Sequence, residues 1–187
     1  MKNQYSNLSG RARNILLLQV LSGGRLGYDT LMAFHLAQLN VGRLLHPVDH
    51  PQIKEFMDGL DHINALADQS PGFVWRLQSE SGNATDVHHP WSQDPFVLVN
   101  MSLWESPDDL KQFVYRSGHL EYYLKRSDWF EKPTQAHYVL WWVPAGHIPS
   151  LDEARERLEH YRLHGATPHA FWFGKLFPEP AFSTAPA

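Results

Sequence analysis

Along the chain, apolar residues recur with a two-residue period in some stretches and a 3.6-residue period in others, and the switches mark the elements. Residues 34–40 alternate. His35, Ala37 and Leu39 fall on one side of a strand, and Phe34, Leu36, Gln38 and Asn40 on the other. Asp49-His50-Pro51 then opens a helix, because proline suits a first turn. Its apolar positions Ile53, Phe56, Met57, Leu60, Ile63 and Ala67 form one stripe, which predicts a helix lying on a sheet. Ser70-Pro71-Gly72 ends it. A second strand is predicted over 73–78, a polar loop over 79–94 and a third strand over 96–104. In that third strand Val97, Val99, Met101 and Leu103 make a wholly aliphatic face, expected to meet helices. Phe96, Leu98, Asn100, Ser102 and Trp104 make the other, a mixture suited to lining a pocket.

Ser106-Pro107-Asp108-Asp109 supplies a capping serine, a first-turn proline and two first-turn acids, so a helix starts there and runs to about Ser127, with a break at Ser117-Gly118. Residues 135–143 predict a fourth strand. Ser150-Leu151-Asp152-Glu153 is a capping box, and the helix after it turns Leu151, Ala154, Leu158 and Tyr161 inward before stopping at Gly165. Residues 168–177 predict a last strand, and 178–187 a loose tail.

The order β-α-β-β-α-β, extended by a helix and a strand, is the ferredoxin-like arrangement: an α+β fold with an antiparallel sheet and helices on one face. The other face needs a cover. A second copy of the chain is the simplest supplier, so a homodimer is expected. Residues 1–31 are loosely patterned and interrupted by Gly23-Gly24 and Gly27. They predict an appended extension, disordered or holding a short helix over 12–21, with the domain spanning 32–177.

Composition narrows the chemistry. A net charge of -4, a pI near 6.3 and the lack of a long basic run argue against nucleic acid as a partner. Cysteine is absent, which excludes disulfides, thiolate metal sites and cysteine nucleophiles. No apolar run approaches the roughly 20 residues needed to span a bilayer, and the short apolar stretch 15–21 lacks a small-residue cleavage site, so a cytoplasmic protein is expected. A glycine-rich phosphate loop and a nucleophile elbow are both missing.

Candidate chemistry concentrates in residues 115–147. His119 could act as a base near neutral pH or as an axial haem ligand; its plainer role is a helix histidine hydrogen-bonded to a neighbouring side chain. Tyr122, Tyr123 and Arg126 follow on adjacent turns at three, four and seven residues' spacing, so Arg126 and Tyr123 could clamp an anion while a ring stacks on Trp129. A surface ion pair with Glu121 or Asp128 is the plainer role for Arg126. Phe96, Asn100, Ser102 and Trp104 are expected in the cavity lining, where Asn100 and Ser102 could orient a carbonyl; a hydrated dimer interface is the other place for these two polar residues. Trp141 and Trp142 point to opposite faces, so only one lines the pocket while the other is core, and the alternation leaves open which; Trp141 would share a face with His137, itself a candidate for the lining. His160 and His164 lie four apart on one helix, a spacing open to a metal. No acidic third ligand is in evident register, and His88-His89 rate no higher, so no metal is expected.

The runs Phe34-His-Leu-Ala-Gln-Leu-Asn-Val-Gly-Arg43, 64–76, 118–130 and Leu140-Trp-Trp-Val-Pro-Ala-Gly-His147 resemble an uncharacterised bacterial family, domain of unknown function DUF3291, placed with the dimeric α/β-barrel proteins beside the antibiotic-biosynthesis monooxygenases. The resemblance implies the fold and a dimer, and assigns no reaction. The wider group includes cofactor-free oxygenases of aromatic polyketides, and haem degraders that use an Asn, a Trp and a helical His; Asn40, Trp104 and His119 are the analogues here. Beside that resemblance, the expected function is an oxygenase-type enzyme without flavin or nicotinamide, acting on a small aromatic or hydrophobic molecule. The alternative is a non-catalytic protein that binds haem or a hydrophobic ligand.

Overall fold

The computed structural model describes residues 33–87, 89 and 92–181 of the 187. The expected extension over 1–31, His88 and the last part of the expected tail lie outside the described residues. Strands β1 (Phe34–Arg43), β2 (Phe73–Arg76), β3 (Val97–Trp104) and β4 (Tyr138–Pro144) form one sheet in the order β2-β3-β1-β4, antiparallel throughout. Helices α1 (Lys54–Asp68), α2 (Pro107–Arg116), α3 (His119–Lys125) and α4 (Leu151–His164) complete the ferredoxin-like, α+β fold. None of them is long and apolar enough to cross a membrane.

The helix starts follow local chemistry. Ser106 Oγ accepts the Asp109 backbone N–H at 3.2 Å with Pro107 at the first helical position, and Ser150 Oγ accepts that of Glu153 at 3.1 Å. The break between α2 and α3 falls where expected. Ser117 Oγ donates back to the Phe113 carbonyl and accepts the His119 N–H, so it closes one helix and opens the next. Helix α1 begins at Lys54, later than the Pro51 start, because residues 50–53 form turns. Gly165, at φ 69°, ends α4 in a backbone conformation that a Cβ would disfavour.

Register sorts the side chains. Leu36, Gln38 and Asn40 lie opposite Trp104, Ser102 and Asn100 on β3, and opposite Trp142, Leu140 and Tyr138 on β4. One residue along each strand, Ala37, Leu39, Met101, Leu103, Val139, Trp141 and Val143 form the opposite face, packed with Ala154 and Leu158 of α4 into a single core whose members are at most 1% exposed. The helices of the ferredoxin-like unit, α1 to α3, sit on the mixed face. The added α4 sits on the aliphatic one, so both faces of the sheet are covered within one chain. A second copy is therefore not needed to bury that face, and the dimer no longer follows from an uncovered sheet.

The expected last strand over 168–177 does not form. Phe171 alone pairs, through two 2.8 Å hydrogen bonds with Leu140, and tight turns at Thr167–Ala170 and Trp172–Lys175 flank it. Pro168 has no N–H to give a ladder, and the Trp172 ring lies across Gly174, where a Cβ would come within 2.5 Å of it.

Candidate functional site

On the mixed face, α1 to α3 stand off the sheet enough to leave an open cavity of about 220 Å³, more than ten times the roughly 10–15 Å³ that a single water needs. The sheet forms its floor in rows. Arg76, Ser102 and Gln38 make one row, and Asn100, Asn40 and Tyr138 the next. A bulge between Phe73 and Trp75 breaks the alternation of β2, so Phe73 and Arg76 both reach the cavity though three residues apart. Phe113, Tyr115, His119 and Tyr123 come from α2 and α3, Asn64 from α1, and Phe173 from the turns after α4. Of the sequence candidates, His119, Tyr123, Arg126, Asn40, Asn100, Ser102, Trp104 and His137 are brought together here.

The others lie elsewhere, each for a packing reason. Trp141 belongs to the opposite core, where its indole N–H donates to Glu153 Oε1 at 3.1 Å. His137 does not share its face: β4 begins only at Tyr138, and the His137 carbonyl is tied to the Val41 N–H at 2.8 Å. Tyr122 and Trp129 join Phe56 and Phe96 in a separate apolar cluster between α1, α3 and the sheet end. Tyr122 lies over Gly59, where a Cβ would meet its ring at 2.2 Å, so the glycine lets α1 and α3 approach. Phe96 stacks under the Arg43 guanidinium at 5.0 Å, itself bonded to Asp94 at 2.7 Å. Spacing of four and seven from His119 thus faces the cavity, and spacing of three faces α1.

Several lining groups escaped the sequence reading. Gln38 was legible, since it alternates with Asn40 on one face. Phe73, Arg76, Asn64 and Tyr138 carried no local signal.

The electrostatics are one-sided. No carboxylate is among the described residues that line the cavity, whereas two arginines are. Arg76 is committed: Nε to Asp68 Oδ1 at 2.9 Å, and a second nitrogen to the Gly82 carbonyl at 2.8 Å. Arg126 makes no ion pair among the described residues with Glu121, Asp128 or any other acid. Its guanidinium rests 4.3 Å from the Tyr123 ring centre and donates to the Tyr123 carbonyl at 2.8 Å, leaving further N–H groups exposed. Asn40, Asn64 and Asn100 make no side-chain hydrogen bond among the described residues. Ser102 is committed, accepting from Trp104 Nε1 at 2.9 Å and donating to Gln38 Oε1 at 3.1 Å, which turns the Gln38 amide N–H groups free for a ligand.

His119 is held neutral. Desolvation by burial lowers its pKa below 6.5, against a smaller opposing effect of the Val114 carbonyl. That carbonyl, 3.4 Å from Nδ1, can only accept, so the proton resides on Nδ1 and Nε2 keeps its lone pair. His137 is lowered too, first by desolvation and then by Arg126 and Arg162. Burial pushes the Tyr138 phenol up to about 12; its oxygen accepts the Phe173 N–H at 3.3 Å, and its own proton stays available for donation.

Haem does not fit between the proposed analogues. Phe113 stacks on Trp104 with centroids 5.2 Å apart and an interplanar angle of 27°, and packs on His119 at 4.8 Å. A phenyl ring therefore fills the space between the tryptophan and the histidine, and no slot for a porphyrin remains there.

The family profile for a domain of unknown function, DUF3291, matches residues 35–186. No curated protein matches the chain. Among solved structures, the chain is similar to a protein of unknown function from Nitrosomonas europaea, at 12% identity and a TM-score of 0.41, over 63% of this chain and 97% of that one. It is also similar to a putative antibiotic biosynthesis monooxygenase from the same organism, at 14% identity and a TM-score of 0.38, over 63% and 93%.

Proposed function

The chain belongs to the DUF3291 family, whose description assigns no reaction, and we propose from the cavity itself that it binds a small aromatic molecule bearing an acidic oxygen, on which His119 acts as proton acceptor in a monooxygenase-like reaction. One observation carries this reading: among the described residues, a neutral imidazole with Nε2 uncommitted shares an aromatic-walled cavity with an arginine that makes no ion pair and with no carboxylate.

Each part has a task. Phe73, Phe113 and Phe173 offer apolar surface for a ring, with Trp104 packed behind the first two. Arg126 meets the anionic oxygen with charge-assisted hydrogen bonds. The amides of Gln38, Asn40 and Asn100 orient a neighbouring carbonyl. Proton removal by His119 Nε2 leaves an electron-rich phenolate or enolate, which can give electrons to dioxygen without flavin or nicotinamide. For a methylene flanked by aromatic rings the balance is CH2 + O2 → C=O + H2O. The imidazole is oriented by a backbone carbonyl at 3.4 Å, with no carboxylate among the described lining residues to stabilise its protonated form, which favours a second reading, a binding protein without turnover.

The test uses two probes on wild type, Arg126→Gln and His119→Ala. Salicylate should raise the thermal midpoint of the wild type, as a ligand of the folded state must, and Arg126→Gln should weaken its binding about tenfold or more, the scale of a lost hydrogen bond to a charge. A dihydroxyanthrone should drive oxygen uptake that His119→Ala abolishes. Binding without uptake would establish the binding protein, and a wild type that responds to neither probe would overturn both.

A further inference from the structure

Outside the cavity, the end of α4 gathers titratable side chains that the proposed function does not use. Glu156, His160 and His164 follow at four-residue intervals on one face of α4. Gly165 then ends the helix, and the chain folds back through the Thr167–Ala170 turn, closed by hydrogen bonds of 2.9 and 3.2 Å. That turn presents His169 to the same helix face. Its position is fixed from behind, where Arg157 donates to the His169 carbonyl at 3.0 Å, and from ahead, where Phe171 is locked to β4.

We propose that Glu156, His160 and His169 form a binding site for a divalent transition-metal ion of the zinc class, with His164 alongside. One donor atom from each of the three lies within 4.8 Å of the others. Two imidazoles and a carboxylate are a donor set that zinc accepts, at metal–nitrogen distances of about 2.0–2.1 Å. His169 Nε2 already faces both oxygens of Glu156 at 2.9 Å, where an ion can insert in place of the proton they share. His160 Nε2 is bonded to Thr167 Oγ1 at 3.0 Å, which supplies the outer hydrogen bond that orients a metal-bound imidazole and leaves Nδ1 to face the ion. The His164 ring is 4.6 Å from that of His160, within a side-chain rotation of a fourth position.

Drawing the donors onto a zinc-sized ion takes rotation of Glu156, which is exposed, and of His160. The proton on His169 moves to Nδ1. Arg157 gives up its contact there, keeps its bond to the His169 carbonyl and retains Glu153 at 3.6 Å as its counter-charge. The ion would staple the turn after α4 to the helix, a structural site set apart from the cavity residues.

The test is calorimetric titration of zinc chloride into the untagged, chelator-treated full chain, with cobalt(II) absorption as a second readout. One ion per chain is expected, with cobalt d–d bands of a tetrahedral site. His160→Ala and His169→Ala should each weaken binding at least tenfold. Glu156→Gln, a substitution at an exposed position, should weaken it without disturbing the fold, which serves if a histidine variant unfolds. His46→Ala with His50→Ala, two stacked rings elsewhere, should bind as wild type. Absence of zinc binding, or binding unchanged in all three site variants, would overturn the proposal.

Discussion

On one face of the sheet, Ala37, Leu39, Met101, Val139 and Trp141 are sealed under α4. One residue along the same strands, Gln38, Asn40, Asn100 and Ser102 floor an open cavity. Backbone, register and strand twist are common to both, so the contrast comes from side chains and from which helices cover them. The closed face is apolar and is sealed by Ala154 and Leu158 of α4, which packs mainly over β4, together with Leu77 and Ile148. The open face carries amides and a hydroxyl that a close-packed helix would leave unsatisfied, and there α1 to α3 pack at the margins instead, around Trp104 at one end and Trp129 at the other. The same residue type shows the difference: Trp141 gives its N–H to an acid of α4 within the closed core, whereas Trp104, just as buried, gives its N–H to Ser102 of the cavity floor and lies under the Phe73 and Phe113 rings.

The largest effect should come from opening the closed face. Leu158→Ala removes a fully buried side chain of α4 and should cost about 2–5 kcal/mol of stability in urea unfolding, while salicylate binding to the folded fraction stays as in wild type. A change in that binding would mean that the two faces are coupled rather than separate.

Next comes the margin of the open face. Alanine at an exposed helix interior ordinarily gains about 1 kcal/mol over glycine. At Gly59 the new Cβ meets Tyr122 at 2.2 Å, so Gly59→Ala should instead destabilise by about 1–3 kcal/mol. Tyr122→Ala in the same chain should reverse the sign of the glycine substitution, as a double-mutant cycle would report.

A smaller effect follows from His119. Its folded pKa lies below 6.5, so the unfolded state binds more protons in the acid range. Stability should be fully present above about pH 6.5 and fall as pH drops from there toward the folded pKa, with His137 acting in the same direction. His119→Asn should flatten that fall in thermal unfolding followed from pH 7 to 5. An unchanged slope would show that the imidazole is not desolvated.

The smallest belongs to the floor. Asn100 is exposed and has no side-chain hydrogen bond among the described residues, so Asn100→Ala should change stability by no more than about 0.5 kcal/mol. Any loss it causes should appear in ligand affinity alone.

Periodicity, caps and breakers lie within a few residues of one another, and these were legible: the strand alternation, the Ser106 and Ser150 helix starts, the Ser117-Gly118 break and the split of β3 into an aliphatic and a mixed face. The concentration of His119, Tyr123 and Arg126 at helical spacing was legible for the same reason, and so was the pairing of His160 with His164. What depends on contacts between distant parts of the chain was decided only by the tertiary structure. The β2 bulge brought Arg76 beside Ser102, and a turn rather than a strand after α4 brought His169 to Glu156. Trp141 and Tyr122 were assigned to core because an indole N–H found Glu153 and a glycine made room for a ring. Above all, whether α4 would cover the second sheet face is a question of where an amphipathic helix finds the largest apolar surface. The local sequence states that such a helix exists, and only the assembled sheet supplies the surface on which it lies.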